Sequence, residues 1–192
     1  MPSRKQDKAG PDALQFLKQE HETVRRMFEE FEKAGDDRRF ELATEICQAL
    51  TVHAAIEEEI FYPRVHEAIA AEDLMLEAEI EHDSVKQLIE RIQEGEIDET
   101  RLTAMIKVLH EYVNHHVNEE QRKMFPRVKR TELDLVALGS ELQARKQEIE
   151  AELGAAMADE SRADDDESGT EDEPSGQSRG GMAAHGPSGD DG

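Results

Sequence analysis

Apolar residues recur at alternating three- and four-residue steps along most of the chain, which is the period of an amphipathic α-helix. No run alternates between apolar and polar residues for long enough to predict a strand. Caps and breakers divide the pattern into five predicted helices: about Asp12–Gly35, Asp37–Tyr62, Glu72–Glu94, Asp98–Phe125 and Glu132–Leu153. The second and fourth end before Pro63 and Pro126, because a proline inside a helix removes a hydrogen bond. The pattern therefore predicts an all-α fold.

An internal repeat relates the first two predicted helices to the next two. At an offset of 61 residues, the apolar positions of 14–31 match those of 75–92, and both segments carry one histidine in the same slot. At an offset of 63 residues, the second and fourth helices share a histidine and a glutamate four residues later. Two duplicated helical hairpins predict an up-down antiparallel four-helix bundle, with a short C-terminal helix that caps it.

The composition changes near Gly154. Residues 155–192 contain no Leu, Ile, Val, Phe or Tyr, and their acidic side chains far outnumber their basic ones. Such a segment cannot bury enough apolar surface to offset its chain entropy. We therefore predict a flexible N-terminus over 1–11, the bundle domain over 12–153 and a disordered acidic tail over 154–192.

Charge and cysteine content limit the partners. The formal net charge of −23 opposes binding to nucleic-acid phosphates and to anionic membrane surfaces, so cations or small neutral molecules are better partners. The single cysteine, Cys47, excludes an intrachain disulfide framework and a cysteine-based metal site. The sequence has no secretory signal and no stretch of roughly 20 apolar residues. We expect a cytoplasmic monomer with no nucleic-acid or membrane partner.

Each of the first four predicted helices carries one histidine on its interior-facing stripe. His21 and His82 lie nine and ten residues after their helix starts, whereas His53 and His116 lie nine residues before their helix ends. At ~1.5 Å rise per residue, all four fall in one layer, roughly 14 Å from the same end of the bundle. One such histidine is most simply a hydrogen-bonded core residue, but four in equivalent slots indicate a common site.

Two glutamates extend this layer. Glu57 and Glu120 lie one turn beyond the histidines of the second and fourth helices and about 40° around the helix, so they also face the interior. Burying two carboxylates costs several kcal/mol each unless a cation compensates them. Four nitrogen ligands and two carboxylates able to bridge predict a two-metal site for iron, manganese or zinc. The predicted metal ligands are His21, His53, Glu57, His82, His116 and Glu120.

These residues and their neighbours carry a resemblance to a known family. The motifs are His53-Ala-Ala-Ile-Glu57, His116-Val-Asn-Glu-Glu120, Tyr62-Pro-Arg-Val65 and Phe125-Pro-Arg-Val128, together with His21 and His82. Over about residues 12–150 the chain resembles the haemerythrin-like family of HHE cation-binding domains. The resemblance implies two iron ions, bridged by oxo or hydroxo. The implied assignment is His21 and His53 on one iron, His82 and His116 on the other, and Glu57 and Glu120 bridging both.

The chain departs from the oxygen-carrying haemerythrins at two positions. Those proteins have a further histidine where this chain has Lys86, and an aspartate where it has Gln121. Reversible oxygen carriage requires one filled iron and one with a single open position, so the missing histidine argues against that role. A nearby acid such as Glu20, Glu58 or Glu81, or simply water, could fill the gap.

Two alternatives concern the fourth predicted helix. His115 gives a rival register, because Glu120 lies five residues after it, although the repeat and the apolar stripe favour His116. Tyr112 lies one turn before His116 on the predicted interior stripe, where its hydroxyl could reach the site, although core packing is the simpler role.

Two functions of different classes agree with this site. The first is a binding or sensing protein whose di-iron centre binds dioxygen, nitric oxide or peroxide, or registers iron. The second is an enzyme with catalase-like or ferroxidase activity in oxidative stress or iron handling, which the missing histidine favours. A structural metal in an interaction scaffold is a third possibility. We favour the binding protein.

Overall fold

A computed structural model of the protein describes residues 10–95 and 97–167. All regular secondary structure in these ranges is helical. The α-helices are α1 (Ala13–Lys33), α2 (Asp36–Ile56), α3 (Tyr62–Ala68), α4 (Glu72–Gln93), α5 (Glu99–Glu119), α6 (Phe125–Val128) and α7 (Leu135–Glu167). Two π-helical segments, Glu57–Phe61 and Glu120–Met124, connect α2 to α3 and α5 to α6 without a break. No helix within the described ranges is long and apolar enough to cross a bilayer.

The four long helices before α7 form two hairpins. Helix α1 packs against α2 after a turn at Ala34 and Gly35, α4 packs against α5, and α2 joins the hairpins by contacting both α4 and α5. An aspartate caps the N-terminus of one helix in each hairpin. The side chain of Asp12 accepts a hydrogen bond from the N–H of Gln15 at the start of α1, and that of Asp98 accepts one from the N–H of Arg101 at the start of α5. The predicted all-α bundle of two hairpins is confirmed, and it lies in the compact unit that ends at Leu153.

Apolar side chains fill the bundle as two clusters at its opposite ends. The cluster beside α3, α6 and α7 includes Leu17, Phe61, Val65, Leu74, Phe125 and Leu142. The cluster beside the hairpin turns includes Phe28, Phe31, Ile46, Ile89, Leu102 and Leu109. Along each long helix the histidine falls between the two clusters, so the predicted ligand layer divides the core.

The predicted helix ends before Pro63 and Pro126 are wrong. Both prolines lie in the first turn of a new α-helical stretch that continues directly from a π-helical segment. In the first segment, the N–H of Tyr62 donates to the carbonyl of Glu57, five residues earlier, and the second segment repeats this geometry. A proline is tolerated in the first turn of a helix, and the π-helical segment supplies such a turn within a continuous rod.

Helix α7 differs from the prediction at both ends. It begins at Leu135 rather than Glu132, and it continues past Leu153 to Glu167, so the predicted bounds are wrong. Residues 154–167 belong to the segment predicted as disordered, but their alanines and glutamates have high helix propensity. The rest of the predicted acidic tail, 168–192, and most of the predicted flexible N-terminus, 1–9, lie outside the described residues.

The first turns of α7 pack closely on the start of α1. A Cβ added at Gly139 would lie 2.5 Å from the carbonyl oxygen of Pro11 and 2.8 Å from the backbone nitrogen of Ala13. Leu138 and Leu142 are buried in the apolar cluster at this end of the bundle. The fifth predicted helix therefore covers the bundle end, and a residue without a side chain permits the contact.

Candidate metal centre

Six polar side chains meet in the layer between the two apolar clusters. They are His21 of α1, His53 of α2, His82 of α4, His116 of α5, and Glu57 and Glu120 at the first positions of the π-helical segments. Each is at most 6% exposed, and within the described ranges no other polar or charged residue is as buried. The structure thus brings together all six of the predicted ligands.

The four histidines form two pairs, one from each hairpin. The Nε2 atoms of His21 and His53 lie 3.1 Å apart, and those of His82 and His116 also lie 3.1 Å apart. Zinc–nitrogen distances in proteins are about 2.0–2.1 Å, so two nitrogens this close can bind one ion. Each hairpin therefore offers one pair of imidazole ligands to one metal position.

The two glutamates lie between the pairs. Glu57 Oε2 is 3.3 Å from Nε2 of His53 and 3.4 Å from Nε2 of His82, so this carboxylate reaches both pairs. Glu120 Oε2 is 3.3 Å from Nε2 of His21 and 3.8 Å from Nε2 of the α5 histidine. Either carboxylate could therefore bridge two metal ions.

The buried side chains of the layer fit a bound cation. Glu57 Oε1 and Glu120 Oε2 are buried, and neither accepts a hydrogen bond from any described residue. A buried carboxylate oxygen without a donor is costly unless a cation compensates it. Two groups of side chains, each with its donor atoms within 4.8 Å of one another, could hold a metal and share Glu57.

Tyr62 is a residue of the layer that the sequence analysis missed. Its hydroxyl lies 3.2 Å from Nε2 of His82 and 3.3 Å from Nε2 of His116. It also lies 3.2 Å from Glu120 Oε1 and 3.4 Å from Glu57 Oε2. The phenol can therefore donate a hydrogen bond to a carboxylate, or contact a metal held by the same atoms.

Tyr112 and His115 lie on the surface instead. Tyr112 is 46% exposed, so its predicted place on the interior stripe is wrong. The side chain of His115 is 66% exposed, and its Nε2 lies 3.2 Å from Glu81 Oε1. The rival register would therefore replace an interior imidazole with a surface one.

Burial and like charges perturb the ionisation of the layer. Burial raises the pKa of the Glu57 carboxyl, and the negative charge of Glu120 adds to the shift. Burial, with the same two carboxylates, raises the pKa of the Tyr62 hydroxyl well above its usual value. Burial lowers the pKa of His53 well below its usual value, and the charges of neighbouring histidines add to this. A cation in the layer would favour charged carboxylates and neutral imidazoles.

Two acidic side chains contact the outer nitrogens of the histidine pair from α4 and α5. Nδ1 of His82 lies 2.8 Å from Glu58 Oε1, and Nδ1 of His116 lies 2.8 Å from Glu81 Oε2. The hydrogen bond from His82 lowers the pKa of Glu58 to about 2. Glu20 forms an ion pair with Lys146. Glu58 and Glu81 therefore contact the outer nitrogens of the histidines, whereas Glu20 pairs with a lysine.

Spaces of different size adjoin the layer. A cavity of about 30 Å³ is lined by the four histidines and by apolar side chains that include Val24, Leu50, Val85 and Val113. On another side, an open cleft of about 550 Å³ is lined by residues that include Tyr62, Glu58 and Lys86. The small cavity has room for about one water-sized molecule.

Comparison with known proteins identifies the family of this bundle. Residues 12–128, more than half of the chain, match the model of the hemerythrin HHE cation binding domain. The chain belongs to this family. Within it, the cluster of histidines and glutamates makes the protein a metal-binding protein. The family predicted from the sequence motifs is confirmed.

Two similar proteins extend the comparison of this HHE domain. A DNA nickase from Nostoc sp. (strain PCC 7120 / SAG 25.82 / UTEX 2576) is 26% identical over 151 residues, which are 77% of this chain and 43% of that protein. The chain therefore spans less than half the length of that relative. A crystal structure of a hemerythrin HHE cation binding domain-containing protein from Mycobacterium kansasii superimposes with a TM-score of 0.64 at 23% identity. The match covers 74% of this chain and 90% of the chain from Mycobacterium kansasii, and it shows that the two proteins share a fold.

The two departures from the oxygen-carrying haemerythrins have structural roles in this HHE domain. Lys86 replaces the further histidine, and its Nζ lies 2.6 Å from Glu58 Oε2, on the outer side of His82. Gln121 replaces the aspartate, and its Nε2 lies 3.0 Å from Nδ1 of His21. Lys86 therefore holds the carboxylate that contacts His82, and Gln121 contacts His21 directly, so both help to orient a histidine.

Proposed function

We propose that this HHE domain holds a carboxylate-bridged pair of iron ions and binds a small ligand such as dioxygen, nitric oxide or peroxide beside them. The observation that carries the proposal is the buried layer of six ligands next to a cavity of about 30 Å³. The proposed assignment is His21 and His53 for one ion, His82 and His116 for the other, and Glu57 and Glu120 for both. When bound, iron would supply the redox chemistry and the open coordination positions that such ligands require.

The walls of the small cavity support a small and neutral ligand. Apart from the four histidines, its lining is apolar and includes Val24, Leu50, Val85 and Val113. An apolar wall offers no compensation to an ion that leaves water. A diatomic molecule or neutral hydrogen peroxide therefore suits this cavity better than an organic anion does.

Tyr62 supports proton donation at the same layer. Its hydroxyl lies within 3.4 Å of atoms from both bridging carboxylates and from the second histidine pair. In the metal-free protein, burial and the two carboxylates raise the pKa of this phenol, so it keeps its proton there at neutral pH. It can therefore hold a proton or hydrogen bond beside a ligand that gains negative charge.

A second candidate is catalase-like removal of peroxide or oxidation of iron(II). Lys86 favours it, because this residue stands where the oxygen carriers have a further histidine, and no fifth histidine of the described residues is buried in the layer. We expect no DNA-nicking activity, since a formal charge of −23 opposes binding to a phosphate backbone. We propose that the protein is a cytoplasmic monomer that binds or removes a small oxidant.

Metal content per chain tests the proposal. Protein purified in its native form should contain about two iron ions per chain, with visible charge-transfer absorption. Glu120→Ala should lose most of this iron, because it removes a buried bridging carboxylate. Glu119→Ala is the matched control and should keep it, because Glu119 pairs with Lys123 instead.

Four outcomes separate the possibilities. Zinc alone after reconstitution with iron, or equal metal loss in the two variants, would contradict the proposed centre. Repeated release of oxygen from added peroxide would establish the enzyme, whereas a slow stoichiometric colour change would establish the binding protein.

A further inference from the structure

The two histidine pairs differ on their outer sides. Each histidine directs Nε2 toward its partner in the pair. Its Nδ1 therefore faces the residues outside the ligand layer. In the pair from α4 and α5, both Nδ1 atoms bond to carboxylates, since Glu58 binds His82 and Glu81 binds His116, each at 2.8 Å. Lys86 holds the other oxygen of Glu58 at 2.6 Å.

Among the residues that the structure describes, no carboxylate bonds to Nδ1 of either histidine in the pair from α1 and α2. Nδ1 of His21 contacts the neutral amide of Gln121 at 3.0 Å. Nδ1 of His53 is buried, and no described residue forms a hydrogen bond with it. The internal repeat therefore gives equivalent ligands to both metal positions but unequal second shells.

This inequality affects how firmly each imidazole binds a cation. A carboxylate on Nδ1–H fixes the tautomer, so that Nε2 carries the lone pair, and it also raises the basicity of the ring. Replacing such second-shell partners typically lowers metal affinity by about 10–100-fold. The pair of His82 and His116 has two of these partners, and the pair of His21 and His53 has none among the described residues.

We propose that the two metal positions are unequal, so that the position of His82 and His116 fills first and the position of His21 and His53 fills second and exchanges its metal. Glu58 and Glu81 are the positioning residues of the tighter position. The inference rests on the proposed two-metal centre. When metal is scarce, the protein would therefore hold one ion in the tighter position. The other position would stay empty until the metal concentration rises, so its occupancy would report the metal supply.

Stepwise binding alone would not test this inequality. The two ions share Glu57 and Glu120, and their mutual repulsion weakens the second step even in a symmetric site. The informative quantity is therefore which of the two steps depends on Glu58 and Glu81.

Titration of the metal-free full-length chain with Co²⁺, followed by its visible absorption and by calorimetry, measures both steps. The Glu58→Gln Glu81→Gln double variant should weaken the first step by about 10–100-fold and leave the second nearly unchanged. Each single variant should give part of this effect, which keeps the test available if the double variant folds poorly.

A matched control separates positioning from loss of charge. The Glu59→Gln Glu119→Gln variant removes two negative charges next to the ligands, but from carboxylates that pair with Arg145 and Lys123. Its first step should change much less than that of the Glu58→Gln Glu81→Gln variant. Equal effects in the two double variants would overturn the inference.

The remaining outcomes are also distinct. Weakening of only the second step by Glu58→Gln Glu81→Gln would mean that the other position fills first, and would overturn the inference. Equal weakening of both steps would also overturn it. Uptake of fewer than two Co²⁺ ions by the unaltered chain would instead refute the two-metal centre on which the inference rests.

Discussion

At the scale of single residues, the Tyr62 hydroxyl lies in the polar layer beside both interior glutamates. It lies within hydrogen-bond distance of two buried carboxylates that repel each other. A hydrogen bond to a charged group contributes about 1.5–3 kcal/mol to stability. Without a cation, this hydroxyl is a neutral donor that can reduce the cost of burying Glu57 and Glu120.

Tyr62→Phe should therefore destabilise the metal-free protein by about 1–3 kcal/mol. The loss should be smaller with metal bound, because a cation then compensates the same carboxylates. Denaturant unfolding of both forms measures the difference. Tyr112→Phe is the control, and its exposed ring should give a change within about 0.5 kcal/mol. Equal effects of the two substitutions would contradict this role.

The sequence predicted the six ligand positions but not this tyrosine, and helix geometry explains why. Up to the glutamates, the chain follows the α-helical turn of about 100° per residue, so spacing places each side chain correctly. Tyr62 lies nine residues after His53, and an α-helix would place it about 180° away, on the opposite face. The π-helical segment pairs residues five apart and turns Tyr62 back toward the layer.

At the scale of secondary-structure elements, helices continue through prolines and a glycine at which the sequence predicted helix ends. Pro63 and Pro126 mark places where a continuous helix changes its hydrogen-bond register, although the sequence rules place helix ends there. Gly154 lies inside α7, so the predicted helix end at Leu153 is wrong, although a compact unit of the chain ends at Leu153. Helix existence and order could thus be predicted from period and caps, whereas the course of the chain at the two prolines depended on π-helical hydrogen bonds that no periodicity reveals.

Gly139→Ala should destabilise the bundle by about 1–3 kcal/mol. The added Cβ would meet the backbone of Pro11 and Ala13, which cannot move aside as a flexible side chain can. Gly154→Ala is the control within the same helix, since a Cβ there has nothing within 4 Å and alanine favours helix by roughly 0.5–1 kcal/mol. Chemical denaturation compares the two variants, and a neutral Gly139→Ala would show that α7 does not pack closely on α1.

At the scale of the whole molecule, a layer of polar side chains divides the apolar core into two clusters. Either cluster packs as an ordinary bundle core does, but the layer between them holds buried carboxylates that need compensation. We therefore expect the stability of the bundle to depend on its metal content. The repeated interior histidines indicated this dependence in the sequence, whereas the contacts of Glu58 and Glu81 with them became visible only in the structure.

Complete removal of metal should lower the melting temperature of the protein. A ligand that binds only the folded state stabilises it by about 2.7 kcal/mol when its free concentration is 100 times its Kd. Thermal melting before and after treatment with a strong chelator measures this loss. The chelator should hardly change the melting temperature of Glu120→Ala, which has already lost a bridging carboxylate. An unchanged melting temperature in the unaltered protein would argue against a metal in the core.

The internal repeat has a consequence for ancestry. Each hairpin contributes two histidines and one glutamate, so a single hairpin that paired with its own copy about a two-fold axis would assemble the same six ligands. Such a dimer would force identical surroundings on both metal positions, because one gene would encode both halves. Fusion into one chain removes that constraint and lets Glu58, Lys86 and Gln121 diverge. Covalent linkage thereby turns a symmetric assembly into one whose two halves can specialise.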